Sequence, residues 1–161
     1  MNCNVLIIGN GFVGANLFDY YQDKYNVDIT TKEVLDVCCE KSIQTYFKNN
    51  KDKYTHIIYA AGLKDVGYCE KNPEEAFTIN AESVKKLLRH TEGTQFIYIS
   101  TDYVFSGLSG NYDELSVTDP RTVYGKSKLL GEWYCEMFSQ NFMIVRTSVI
   151  YGANCGWLQW L

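Results

Sequence analysis

The sequence predicts a single α/β domain, a parallel sheet wound so that helices cover both of its faces. Three observations carry that expectation. Short apolar runs alternate with segments of helical spacing along the chain, which implies right-handed crossovers between parallel strands. Two runs, THIIYAA at 55–61 and QFIYIS at 95–100, are nearly continuous in large apolar residues, as strands buried on both faces are. Gly9, Gly11 and Gly14 close the first run and open the first helix.

Residues 4–8 read as the first strand and 12–21 as the first helix. Residues 27–30 read as a strand, 34–37 as a short strand, 42–49 as a helix and 55–61 as the next strand. The helix at 73–90 is strongly signalled. Asn72 caps it, Pro73 takes the position where a missing N–H is no loss, and Glu74 and Glu75 favour its positive end. Lys85, Lys86 and Arg89 gather near its other end, before Gly93. Its inward stripe is Ala76, Phe77, Asn80, Val84, Leu87 and Leu88. A strand at 95–100, a polar loop, a helix at about 121–139 and a strand at 142–148 complete the pattern. Six strands so connected suit the Rossmann order 3-2-1-4-5-6, with a ligand crevice at the strands' carboxyl ends.

A chain of 161 residues, 46% apolar and 21% charged, has the size and composition of one globular domain, here residues 1–161. No apolar run approaches the ~20 residues of a membrane helix, so no membrane partner is expected. The start reads as a strand without a basic leader, which predicts a cytoplasmic protein. A net charge of -4 without a basic block argues against nucleic acid as a partner. The cysteines form no CxxC or Cys/His cluster, so no metal site is expected. They read as reduced core residues.

The chemistry concentrates in three places. Gly9, Asn10, Gly11, Phe12, Val13 and Gly14 form a GxGxxG turn whose helix offers free N–H groups to a pyrophosphate. Asp28 lies within the second strand, and the tip beyond it reads Thr30, Thr31, Lys32. A lysine with two hydroxyls and no carboxylate suits a 2′-phosphate, favouring NADPH over NADH, although a solvated surface lysine is the competing reading of Lys32. Tyr124 and Lys128 lie one helical turn apart, so phenol and ammonium can converge. Ser100 and Thr101 stand just past a strand's carboxyl end, in the same crevice as the glycine turn, and Ala60, Ala61, Gly62 and Lys64 end the neighbouring strand. Reducing a ketone needs hydride on carbon and a proton on oxygen. A nearby ammonium would lower a tyrosine from pKa ~10 by about 1–3 units, into range for that proton transfer. The Thr101 hydroxyl would polarise the carbonyl.

STDYVFSG, VYGKSKLLGE, RTSVIYG and AAGLKDVGYCEKNPEEAFTINAES together resemble the extended short-chain dehydrogenase/reductase family, in its branch of dTDP-4-dehydrorhamnose reductases. The resemblance spans essentially the whole chain. It implies an NAD(P)-dependent oxidoreductase that reduces a nucleotide-linked 4-keto sugar, with NADP or NAD as cofactor. It implies Tyr124 as general acid, Thr101 as orienter of the carbonyl and Lys128 as the residue that binds nicotinamide ribose. Asp36 and Val37 fall beside adenine, Asn80 near the cofactor, and Asp102, Tyr103, Arg146, Thr147 and Ser148 toward substrate or cofactor. A homodimer through the helices at 73–90 and 121–139 is implied as well. The family's usual loop is GxxGxxG, one residue longer than here. Its reductases continue well past this point to form most of the nucleotide-sugar pocket, so the chain is expected to hold the cofactor part. On that reading Trp157, Leu158, Trp160 and Leu161 begin an apolar helix. A sugar-nucleotide epimerase or dehydratase that retains NAD shares Tyr124 and Lys128. A non-catalytic regulatory subunit of the methionine adenosyltransferase beta type would also bind a dinucleotide.

Overall fold

The computed structural model of the chain describes residues 3–50 and 52–151. The expected segment at Trp157–Leu161 lies outside them. Strands β1 (Asn4–Ile8), β2 (Asn26–Thr30), β3 (His56–Tyr59), β4 (Gln95–Thr101) and β5 (Phe142–Thr147) form a parallel sheet of order β2-β1-β3-β4-β5. Helices α1 (Phe12–Tyr21), α2 (Glu40–Asn49), α3 (Val66–Lys71), α4 (Pro73–Phe77), α5 (Ser83–Leu88) and α6 (Val123–Phe138) connect the strands.

Successive residues of β1 point to opposite faces, which is why its run is unbroken. Leu6 and Ile8, with Ile57, Tyr59, Phe96 and Tyr98, meet Ile43 and Phe47 of α2, Val84 and Leu87 of α5 and Cys135 of α6. Val5, Ile7 and Ile58 face the other way, against Leu17 and Phe18 of α1. The sheet is doubly wound, as expected.

Residues 34–37 are a turn, not a strand, so the described sheet has five strands and lacks the third of the expected six. Leu35 and Val37 imitate a strand's alternation because both drop into the core from that turn. Asp36 braces it, accepting from the Cys38 N–H at 2.9 Å while its own N–H donates to the Ser42 hydroxyl at 3.0 Å.

The helix expected at 73–90 is α4 and α5 joined by a π-helical turn at Thr78–Glu82. Hydroxyls from the sheet take carbonyls of that widened turn: Tyr59 donates to Ile79 at 2.8 Å and Tyr98 to Asn80 at 2.7 Å. Helix α6 can approach because residue 131 is glycine. A Cβ there would lie 2.6 Å from the Asn80 carbonyl oxygen. Asn72 does not cap α4 with its side chain, which donates instead to the Tyr68 carbonyl at 3.0 Å. The cause is α3, too short to show periodicity, which is capped by Asp65 and ends at Asn72. Cys69 and Cys135 are buried as expected, whereas Cys39 is exposed.

Candidate active site

A cavity of about 290 Å³ lies at the carboxyl ends of β1, β3, β4 and β5. Gly11, Phe12 and Val13 line it from the first turn, and Ala60, Ala61, Gly62 and Lys64 from the segment after β3. Ser100 and Thr101 line it from β4, Tyr124 and Lys128 from α6, and Thr147 and Ser148 from the end of β5. Leu63, Ile99 and Ile150 also line it, and the sequence offered no signal for them.

The glycine turn fits a dinucleotide's pyrophosphate. Gly9 sits at φ +105°, and a Cβ there would lie 2.6 Å from the Ala61 nitrogen. A Cβ on Gly14 would strike the Gly9 carbonyl, whereas one on Gly11 would meet nothing within 4 Å and would project into open space. Gly11 is also the N-cap of α1, which has no side-chain cap and no acidic residue in its first turn. The positive helix end is therefore left to an anion. Asn10 is exposed at the turn.

Beyond β2, Thr31 is half-buried and Lys32 exposed. The tip is not free of carboxylates, contrary to expectation. The Thr31 hydroxyl hydrogen-bonds the Glu33 carboxyl and, with Lys32, holds it below the usual range. Asp28 is committed elsewhere, accepting from Tyr54 at 2.7 Å and pairing with Lys53 at 2.6 Å. Val37 is buried in the core and Asp36 braces its own turn.

Lys128 is 5% exposed. Its ammonium donates to the Ile99 carbonyl at 2.6 Å and stands 4.1 Å from the Tyr98 ring centroid. Burial pulls its pKa down to about 7, against the nearby Glu132 carboxylate, which raises it. Tyr124 is displaced upward by burial, only partly offset by its hydrogen bond with the Thr101 hydroxyl. The expected lowering of the phenol is not met, because a low-dielectric wall disfavours the phenolate. Thr101 Oγ1 accepts from the Tyr103 N–H at 3.2 Å and donates to Asp102 Oδ1 at 3.3 Å.

Asn80 is fully buried and acts as a clamp beside the cavity. Its Oδ1 accepts from Leu63 N–H at 2.8 Å, and its Nδ2 donates to the Leu63 carbonyl at 3.0 Å and the Ser127 hydroxyl at 2.9 Å. The Ser127 hydroxyl donates in turn to the Tyr124 carbonyl at 2.8 Å. Arg146 turns away from the central cavity to pair with Glu132. With Asp102 it lines a neighbouring cavity of about 710 Å³, which shares Ser148 with the first. Tyr103 meets Tyr124 edge-on, ring centroids 5.6 Å apart. Glu132 was missed by sequence reasoning. The available signal was an acid four residues beyond Lys128, on the helix face that already carries Tyr124 and Lys128.

The family described as RmlD substrate binding domain matches residues 3–157. Spore coat polysaccharide biosynthesis protein SpsK of Bacillus subtilis is 34% identical, the match covering 92% of this chain and 53% of that protein. The dTDP-4-dehydrorhamnose reductase of Aggregatibacter actinomycetemcomitans is 34% identical over 91% of this chain and 46% of its own length. The dTDP-4-dehydrorhamnose reductase of Bacillus anthracis, solved in complex with NADP, superposes with a TM-score of 0.89 at 31% identity. That likeness covers 96% of this chain and 56% of the other. The chain spans about half the length of the curated relatives it matches. By the match across residues 3–157, it belongs to the RmlD substrate binding domain family.

Proposed function

We propose that the chain is the dinucleotide-binding part of an NADPH-dependent reductase of a nucleotide-linked 4-keto sugar, of the dTDP-4-dehydrorhamnose type. The observation that carries this reading is the convergence of Thr101, Tyr124 and Lys128 with the glycine turn on one cavity. The N–H groups at Gly11–Val13 hold the pyrophosphate, Ala60–Gly62 leave room beside it, and Lys128 offers its remaining N–H bonds to a ribose hydroxyl. The bound dinucleotide supplies the hydride. The Thr101 hydroxyl turns from Asp102 to donate to the ketone oxygen as negative charge grows there, and Tyr124 delivers the proton to the same atom. A phenol raised by burial stays protonated at neutral pH, as an acid in the reducing direction must.

The exposed Trp133, Met137 and Phe138 on α6 support a homodimer through that helix. Among the described residues no helix is long and apolar enough to cross a membrane. A cytoplasmic enzyme acting on a small nucleotide-sugar, without nucleic acid, is the reading that follows. The test is NADPH oxidation, by a protein that carries the sugar-binding part as well as these residues, on addition of a dTDP-linked 4-keto sugar. Net consumption supports a reductase. Turnover that returns the cofactor to its starting state would mean an epimerase or dehydratase, and binding without turnover a regulatory subunit.

A further inference from the structure

Glu132 lies one helical turn beyond Lys128 and two beyond Tyr124, on the face of α6 packed against the sheet, and is 1% exposed. A carboxylate this buried needs donors. Arg146 supplies Nε at 3.0 Å and Nη2 at 2.6 Å, and the Ser100 hydroxyl donates to the same group. Ser100 stands between Ile99, whose carbonyl holds Lys128, and Thr101, which faces Tyr124. Its own carbonyl accepts from the Thr147 hydroxyl at 3.3 Å. Arg146 immediately precedes Thr147 and Ser148, which line the cavity. One carboxylate thus joins the ends of β4 and β5 to the helix that carries the phenol and the ammonium, without lining the cavity itself.

The charges around Lys128 point the same way. Tyr98 faces it from β4, Tyr124 and Cys135 share its helix, and the segment after β3 and the π-helical turn present uncharged Gly62 and Asn80. Burial pushes the Cys135 thiol up to about 12 and Tyr98 well above its usual value, and raises Tyr124, so all three are neutral at neutral pH. Glu132 is then the carboxylate that favours the ammonium, and Arg146, the charged residue that β5 brings to this seam, is paired with Glu132.

We propose that Glu132 is a positioning residue that sets the ends of β4 and β5 against α6 and whose carboxylate favours the ammonium of Lys128. Use of that ammonium in catalysis rests on the reductase reading, whereas the proton itself does not. The test follows the side-chain carbon resonance of Lys128 through a pH titration of lysine-labelled protein, assigned by its loss in Lys128→Met. In Glu132→Gln the midpoint should fall by about one pH unit or more. Because that variant leaves Arg146 without its carboxylate, Glu132→Gln/Arg146→Gln serves as the second, neutral variant and should shift in the same direction. An unmoved midpoint in a folded variant overturns the proposal. Failure of both variants to fold also overturns it, by assigning Glu132 to folding alone. Dinucleotide titration of the wild-type protein reads the other question. Absence of binding there would count against the reductase reading and leave the Lys128 result standing.

Discussion

The Lys128 ammonium donates to the carbonyl of Ile99 at 2.6 Å, so its charge is held against the sheet. An unfolded lysine titrates at 10.5, whereas the folded one titrates at about 7. Between those values the unfolded chain holds a proton that the folded chain lacks. Stability from this group therefore rises as pH climbs through that window, and the full cost of the buried charge returns as pH falls through about 7. Urea unfolding across the window should show that slope in the wild type and a flatter dependence in Lys128→Met. Equal slopes would mean that Lys128 keeps an ordinary pKa.

In a protein that also carries the sugar-binding part, Tyr124→Phe should reduce turnover by at least about 100-fold and leave dinucleotide affinity nearly unchanged, since proton delivery by a positioned acid contributes about 10²–10⁴-fold. The ring would still meet Tyr103 edge-on, so packing is kept. Steady-state rates beside a binding titration separate the two effects. Near-full activity would remove Tyr124 from the proton transfer.

Much of this site was legible in sequence because its parts are local. The GxGxxG spacing places a turn, and a four-residue step places Tyr124 and Lys128 on one face of α6. What the sequence could not show were pairings between distant segments. Arg146 reads as a residue near the cavity, but Glu132 claims it across the helix–sheet interface. Asn80 reads as part of an apolar stripe, but the hydroxyl of Tyr98 and the widened π-helical turn make it a clamp on Leu63 and Ser127. The false strand at 34–37 has a similar origin, since two core residues two positions apart look alike in a strand and in a turn.

Cofactor choice should favour NADPH over NADH by roughly tenfold or a little more, the lower part of what a charge-assisted contact of about 1.5–3 kcal/mol supplies, because the site is partly wet. Lys32→Ala should erase most of the ratio. Glu33→Gln should increase it, because the Glu33 carboxylate, held by Thr31 beside Lys32, opposes a 2′-phosphate. Parallel titrations with both dinucleotides check this. Tighter NADH binding, or a ratio indifferent to Lys32, would sink it.

Two glycines of the turn should respond oppositely to the same added methyl group. In Gly14→Ala the new Cβ would strike the Gly9 carbonyl, a backbone atom that cannot swing aside. Helix α1 must shift away from β1, at the ~1–3 kcal/mol typical of overpacking, and denaturant midpoints should fall. Gly11→Ala meets nothing within 4 Å. Its φ of -78° suits any residue, so stability should fall only by about 0.5–1 kcal/mol, the margin by which glycine exceeds alanine at a helix N-cap. Yet that methyl projects where the pyrophosphate would rest against the first turn of α1, so dinucleotide affinity should drop by about tenfold or more, since each ~1.4 kcal/mol lost is a factor of ten. A stable Gly11→Ala protein that binds dinucleotide as the wild type does would mean that the phosphates lie elsewhere than on α1.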